Sequence, residues 1–154
     1  MKKTVYGIIL LSIMLLSALS FSGCALKKIS LDVLSVKSHN EYPDRDVKIF
    51  HTGEEIKVFF SNDELYLPIN GFNDNIDEKI KNNFFDKKAI LVLTLNGVSS
   101  DTEVIAKNKS KDNETEITFT VKMGVCENIT AKLFFFEIEK SLINNEQNIT
   151  YKFN

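Results

Sequence analysis

The sequence is poor in the residues that cross-link a chain or bend it sharply. It has two cysteines, two prolines, six glycines, two histidines and no tryptophan in 154 residues. With one of the two cysteines, Cys24, placed to be modified, Cys126 has no partner, so the fold cannot rest on a disulfide framework. Cys126 then reads as a small buried hydrophobe. The few glycines form no phosphate-cradling loop, and no serine stands in a Gly-x-Ser-x-Gly turn. His39 lies in the polar stretch SHNEYPDRD near Glu41, Asp44 and Asp46, but the spacing matches no metal-ligand set and a solvated loop accounts for it. His51 reads as a strand-end residue. Arg45 is the only arginine among 19 basic residues, and asparagine is abundant, a bias of codon supply in an AT-rich genome.

Long hydrophobic runs are also scarce, and the one present is at the start. Met1-Lys2-Lys3 precedes an apolar run from Val5 to about Phe21, the charged and apolar regions of an export signal. A run of this length could also span a bilayer, which takes roughly 20 apolar residues. The flank favours cleavage. Phe21-Ser22-Gly23-Cys24 resembles a lipobox, with small residues that enter a lipoprotein signal peptidase and a thiol that carries the diacylglycerol; Phe21 stands where leucine is usual. The expectation is a signal peptide over 1–23, lipid attachment at Cys24, a short tether over 24–30, and one domain over 31–154. Two acyl chains anchor stably where one is marginal. A tether of about six residues reaches about 20 Å at most, which holds the domain close to the outer membrane face.

Without the leader, 131 residues remain, enough to bury about two-thirds of the unfolded surface. Loss of Lys2 and Lys3 leaves 17 basic against 21 acidic residues, a net charge near −4. That balance disfavours nucleic acid as a partner and electrostatic adhesion of the domain to anionic lipid, so the lipid itself does the anchoring. Sequons at Asn108, Asn113, Asn128 and Asn148 are incidental in a chain this rich in Asn, Ser and Thr.

Elements follow from periodicity. LDVLSVK (31–37) and DVKIF (46–50) read as strands. In TGEEIKVFF, Thr52 and Glu55 form a capping box ahead of Ile56, Phe59 and Phe60 at helical spacing, although Ile56, Val58 and Phe60 also alternate as a strand would. The cap favours a short helix. A second helix is expected in NIDEKIKNNFF, capped by Asn75 and Glu78, with Ile76, Ile80 and Phe84 on one face. Asn73, Asn75 and Asp77 mimic the start of a calcium loop, but Glu78 and Phe84 stand where glycine and a bidentate glutamate are required. Ala89–Leu95 is apolar on both faces, as a central strand would be, and Asn96-Gly97 signals a turn. TEVIAKN (102–108), TEITFTVKM (115–123), ITAKLFFFEIEK (129–140) and ITYKF (149–153) read as further strands. Ile117, Phe119, Val121 and Met123 share one face. Phe134-Phe135-Phe136 places aromatics on both faces, for core packing or for an exposed docking edge. The fold class expected is α+β: a mostly antiparallel sheet of six to seven strands with two short helices packed on it, after an N-terminal signal helix.

The order of a capping-box helix, a second helix running into FFDKKAILVLTLNG (84–97), a hairpin and a closing FFFEIEKS resembles the PrcB-type domain of bacterial lipoproteins. That domain is named for an accessory subunit of a surface protease complex, and the likeness covers roughly Asp46 to Lys140. The resemblance implies a non-catalytic partner of another exported envelope protein, possible proteases included. It carries no functional residue over, because its motif is structural. The alternative is a lipoprotein that binds a small ligand, a peptide or glycan, in a pocket lined by Tyr42, Tyr66 and Phe72. No catalytic constellation, cofactor site or metal site is expected on either reading.

Overall fold

The computed structural model describes residues 24–31, 33–35, 45–62, 66–68, 71–111, 114–125, 129–143 and 149–154. In chain order these form β1 (Cys24–Ala25), β2 (Lys27–Ile29), β3 (Val33–Ser35), β4 (Arg45–Phe50), α1 (Gly53–Asn62), β5 (Tyr66–Pro68), α2 (Phe72–Lys81), the single turn α3 (Phe84–Lys87), β6 (Lys88–Ser99), β7 (Glu103–Lys111), β8 (Glu114–Lys122), β9 (Ile129–Glu139) and β10 (Ile149–Phe153), with a 3-10 turn at Lys140–Leu142.

The apolar-on-both-faces strand β6 lies inside a sheet of order β2-β9-β6-β4, antiparallel throughout. Its odd residues, Ala89, Leu91, Leu93 and Leu95, enter one core with Phe134, Phe136 and Ile138 of β9. Its even residues Ile90 and Val92 enter a second core with Phe135 and Ala131. A strand buried on both faces loses the alternation that a half-exposed strand keeps. The first core is closed by a second sheet of order β1-β7-β8-β10, through Val104, Ala106, Ile117 and Phe119. The second core is closed by Ile56 and Phe60 of α1 and by Phe72 and Ile76 of α2. The layers are therefore sheet, sheet, helices. β3 and β5 form a separate two-stranded ribbon.

The α+β class holds, but the single sheet of six to seven strands does not. Alternation shows which face of each strand is apolar; it does not show which sheet a strand joins. The strands divide into two four-stranded sheets and the ribbon, and the last strand, β10, runs parallel to β8. The helices number three among the described residues rather than two. The signal helix expected over 1–23 lies outside the described residues.

Residues 24–30, expected to be a tether, are mostly strand. Cys24 and Ala25 pair with Asn108 and Lys107 of the second sheet, whereas Lys27, Lys28 and Ile29 pair with Glu137, Phe136 and Phe135 of the first. At the crossing, Leu26 donates its N–H to the Ala106 carbonyl at 2.8 Å and packs against the core between the sheets. This segment joins the two sheets at one edge.

The capping box is formed. Glu55 N–H donates to Thr52 Oγ1 at 3.1 Å, and Glu55 Oε2 accepts from Thr52 N–H at 3.3 Å and from His51 N–H at 2.7 Å. Val58 is 56% exposed while Ile56 and Phe60 are buried, which is the helical pattern and not the strand one. The helix α2 begins at Phe72, not at Asn75, because Phe72 packs its ring 5.2 Å from Phe60 in the core. Gly71, at φ 73°, occupies its N-cap, so Asn75 and Glu78 lie within the helix. Phe84 belongs to α3, beyond a break at Asn83 with φ 54°.

Asn96-Gly97 is a bulge, not a turn. Gly97, at φ 64°, absorbs a register shift between Leu95 and Val98, and β6 continues to Ser99. The reversal comes at residues 99–102, where Thr102 N–H donates to the Ser99 carbonyl at 2.9 Å. Phe134, Phe135 and Phe136 are each at most 2% exposed, so the run packs two cores and offers no docking edge. Met123 lies past the end of β8 and is 61% exposed.

Candidate functional site

One side chain breaks the apolar pattern of the helix-facing core. Along β9, Ala131, Leu133, Phe135 and Glu137 share a face, and Glu137 is 8% exposed. A buried carboxylate needs paired cations or hydrogen bonds to stay ionised. The fold supplies three cations. Lys27 stands directly opposite Glu137 on β2, with its Nζ 3.1 Å from Oε1. Lys88, at the start of β6, donates from Nζ to Oε2 at 2.9 Å. Lys79, in the last turn of α2, brings its Nζ to 3.9 Å from Oε1.

Burial pushes the Glu137 carboxyl up, but the hydrogen bonds from Lys88 and Lys27 and their charges outweigh it, and the net direction is below the ordinary value. The reverse holds at Lys79. Burial lowers it, Glu137 pulls it up, and repulsion from Lys27 and Lys88 leaves it below the usual lysine range. Lys88 is raised, chiefly by its hydrogen bond to Glu137. The Phe84 ring sits under both outer cations, 4.4 Å from Lys79 Nζ and 5.7 Å from Lys88 Nζ, and favours positive charge there.

Around this cluster lies a cleft of about 350 Å³ between the end of the sheet and α2, which Ser30, Asn75, Glu78 and Asn82 also line. It places cations and amide donors in one concavity, suited to holding an anion. A second cavity, of about 330 Å³, opens at the other end between the sheets. There the Arg45 guanidinium lies 4.9 Å over the Phe153 ring.

Of the residues singled out from sequence, Cys24 is exposed at the start of β1. Phe21, Ser22, Gly23, His39, Tyr42, Cys126, Asn113, Asn128 and Asn148 lie outside the described residues. Phe72 is 2% exposed and packs in the core rather than lining a pocket, and only the backbone of Tyr66 is described. His51 donates its backbone N–H to Glu55 Oε2 at 2.7 Å. Asp77 pairs with Lys57 on the neighbouring helix. Among the described residues no three His, Cys, Asp or Glu side chains converge as a metal-binding set, and no helix is long and apolar enough to cross a membrane. Sequence reasoning missed Lys27, Lys79, Lys88 and Glu137. The partial signal available was Glu137 alternating with Phe135 along β9, but Glu139 shares that face and carries the same signal.

The architecture is that of a three-layer α+β domain with a lysine-ringed cleft at one end of its central sheet. Compared with known proteins, the chain matches no family model, no curated protein and no solved structure.

Proposed function

We propose that this protein is a lipid-anchored lipoprotein of a bacterial cell envelope, a non-catalytic accessory module for another exported protein. The exposure of Cys24 at the edge of the domain carries this reading, because a cysteine packed in the core could not extend acyl chains into a bilayer. The lipobox-like Phe21-Ser22-Gly23 before it and the resemblance of 46–140 to the PrcB-type domain support it. On this reading the acylated cysteine sits in a strand paired to β7, so the domain is held against the outer membrane face with little slack.

Crosslinking and affinity capture of the protein from its own membranes, read by mass spectrometry, tests the accessory role. A stoichiometric exported protein, lost when 46–140 is deleted, is the expected result; capture of nothing above background refutes it. The Cys24→Ala variant tests the anchor. It is expected to leave the membrane fraction and to lose the diacylglycerol mass, and a variant that remains membrane-bound at full-length mass rejects lipidation. The lysine-ringed cleft favours a second reading, a lipoprotein that binds a small ligand.

A further inference from the structure

We propose that the cleft between Lys27, Lys79 and Lys88 binds a phosphate group, and that the source of this group is the headgroup of a membrane phospholipid. The first part rests on the cleft alone. The second rests also on the lipoprotein reading.

Lys79 is the key residue. Its side chain is 21% exposed, and its Nζ is 3.9 Å from Glu137 Oε1, too far for a hydrogen bond. Among the described residues its other contact is the face of Phe84, which takes no hydrogen bond of the ordinary kind. An ammonium has three donors, and those of Lys79 border a cavity of about 350 Å³. Glu137 cannot serve it fully, because Lys88 and Lys27 already hold that carboxylate at 2.9 and 3.1 Å. The lining residues carry three positive charges against two negative, those of Glu137 and Glu78, while exposed Glu139 approaches Lys88 to 3.9 Å from outside.

A tetrahedral, multiply charged group with several acceptor oxygens meets these needs. It accepts from Lys79 and Lys27 together and from the amides of Asn75 and Asn82, and it relieves the repulsion among the lysines. Lysine binds phosphate as a point charge and needs no planar fork. The position argues for the lipid source. Lys27 follows Cys24 by three residues of extended chain, about 10 Å, so an anchor at Cys24 holds the cleft near the headgroup layer.

The test is amine labelling of the membrane-extracted protein, with each lysine quantified by mass spectrometry. In phosphate-free detergent Lys79 is expected to label readily. Inorganic phosphate at ten times its Kd is expected to slow that labelling about tenfold, by simple occupancy. Transfer into phosphatidylglycerol vesicles is expected to protect Lys79 and Lys27 with no phosphate added. Lys48 and Lys122, away from the cleft, are expected to keep their rates in every arm. Lys79→Gln, if its circular dichroism matches the parent, is expected to abolish the effect of phosphate on Lys27, and Lys79→Arg to retain it. Protection by inorganic phosphate but not by vesicles overturns the lipid source and leaves a site for a soluble phosphate compound. Protection by neither overturns the site and leaves a structural ion network. The intact mass of the same sample reports acylation of Cys24 separately, so an unlipidated protein whose Lys79 is protected by phosphate refutes the lipoprotein reading and upholds the site.

Discussion

Glu137 shows how one charge in an apolar face changes the behaviour of a domain. Its carboxyl lies below the ordinary value of 4.5 because Lys88 and Lys27 more than offset the cost of burial. The folded state therefore holds its proton less tightly than the unfolded state does. The stability this provides is fully present above the usual carboxylate range and is lost as pH falls through the depressed folded value. Thermal melts are expected to show that loss on acidification, with Glu137→Gln flattening part of the profile. At neutral pH the same variant is expected to cost about 2–3 kcal/mol, the scale of hydrogen bonds to a charged group, since it also leaves three lysines facing one another. A variant with parental stability and an unchanged acid profile would show that the cluster contributes nothing to folding. Nothing local in FFFEIEK told that Glu137 is buried while Glu139 is exposed. Both glutamates lie on the same face of one strand, and only how far the layer packed on that face reaches along it separates them, Glu137 being covered and Glu139 left at its end.

At the scale of the element, local chemistry is legible where it closes over few residues. The Thr52–Glu55 box was readable because both partners lie within one turn and each satisfies a backbone N–H that the helix leaves free. Thr52→Ala is expected to cost about 1 kcal/mol in chemical denaturation and Thr52→Ser almost nothing. The start of α2 was not readable in the same way. Phe72 joins the helix because its ring packs on Phe60 of α1, a tertiary contact; the N-cap, Gly71, makes no side-chain hydrogen bond that could mark the start locally. Asn96-Gly97 carries the residue types of a turn, yet pairing of β6 with β9 on both sides of it makes a bulge. A Cβ at Gly97 would meet no atom within 4 Å, so Gly97→Ala isolates the backbone cost of its φ of 64°, about 1–2 kcal/mol. A cost near zero in denaturation would mean that the bulge relaxes.

At the scale of the molecule, the two cores share the β6–β9 sheet, and one edge of the structure is joined by residues 24–29. β1 and β2 lie in different sheets, with Leu26 between them, and Lys27 reaches Glu137. A spacer could be replaced by any flexible sequence, whereas a segment paired to both sheets would lose those contacts on replacement. Exchanging residues 25–30 for a Gly/Ser linker is expected to lower the unfolding midpoint in urea and to raise hydrogen exchange along β9 and β7. An unchanged midpoint would return the segment to the role of a tether. If Cys24 carries lipid, this pairing also makes the orientation of the domain at the membrane a property of the fold and not of a flexible stalk.

Sequence by itself determined the properties that depend on neighbours along the chain: the α+β class, the apolar faces of β6, β8 and β9, the capping box, and the lipobox-like stretch that sets the expectation for Cys24. Tertiary structure alone decided which sheet each strand joins, that residues 24–29 are paired, and that Lys27, Lys79 and Lys88 meet at Glu137. The reason is physical. Periodicity and capping report interactions within one or two turns of chain, whereas sheet membership and the lysine cluster depend on contacts between segments far apart in sequence, whose geometry exists only once the layers have packed.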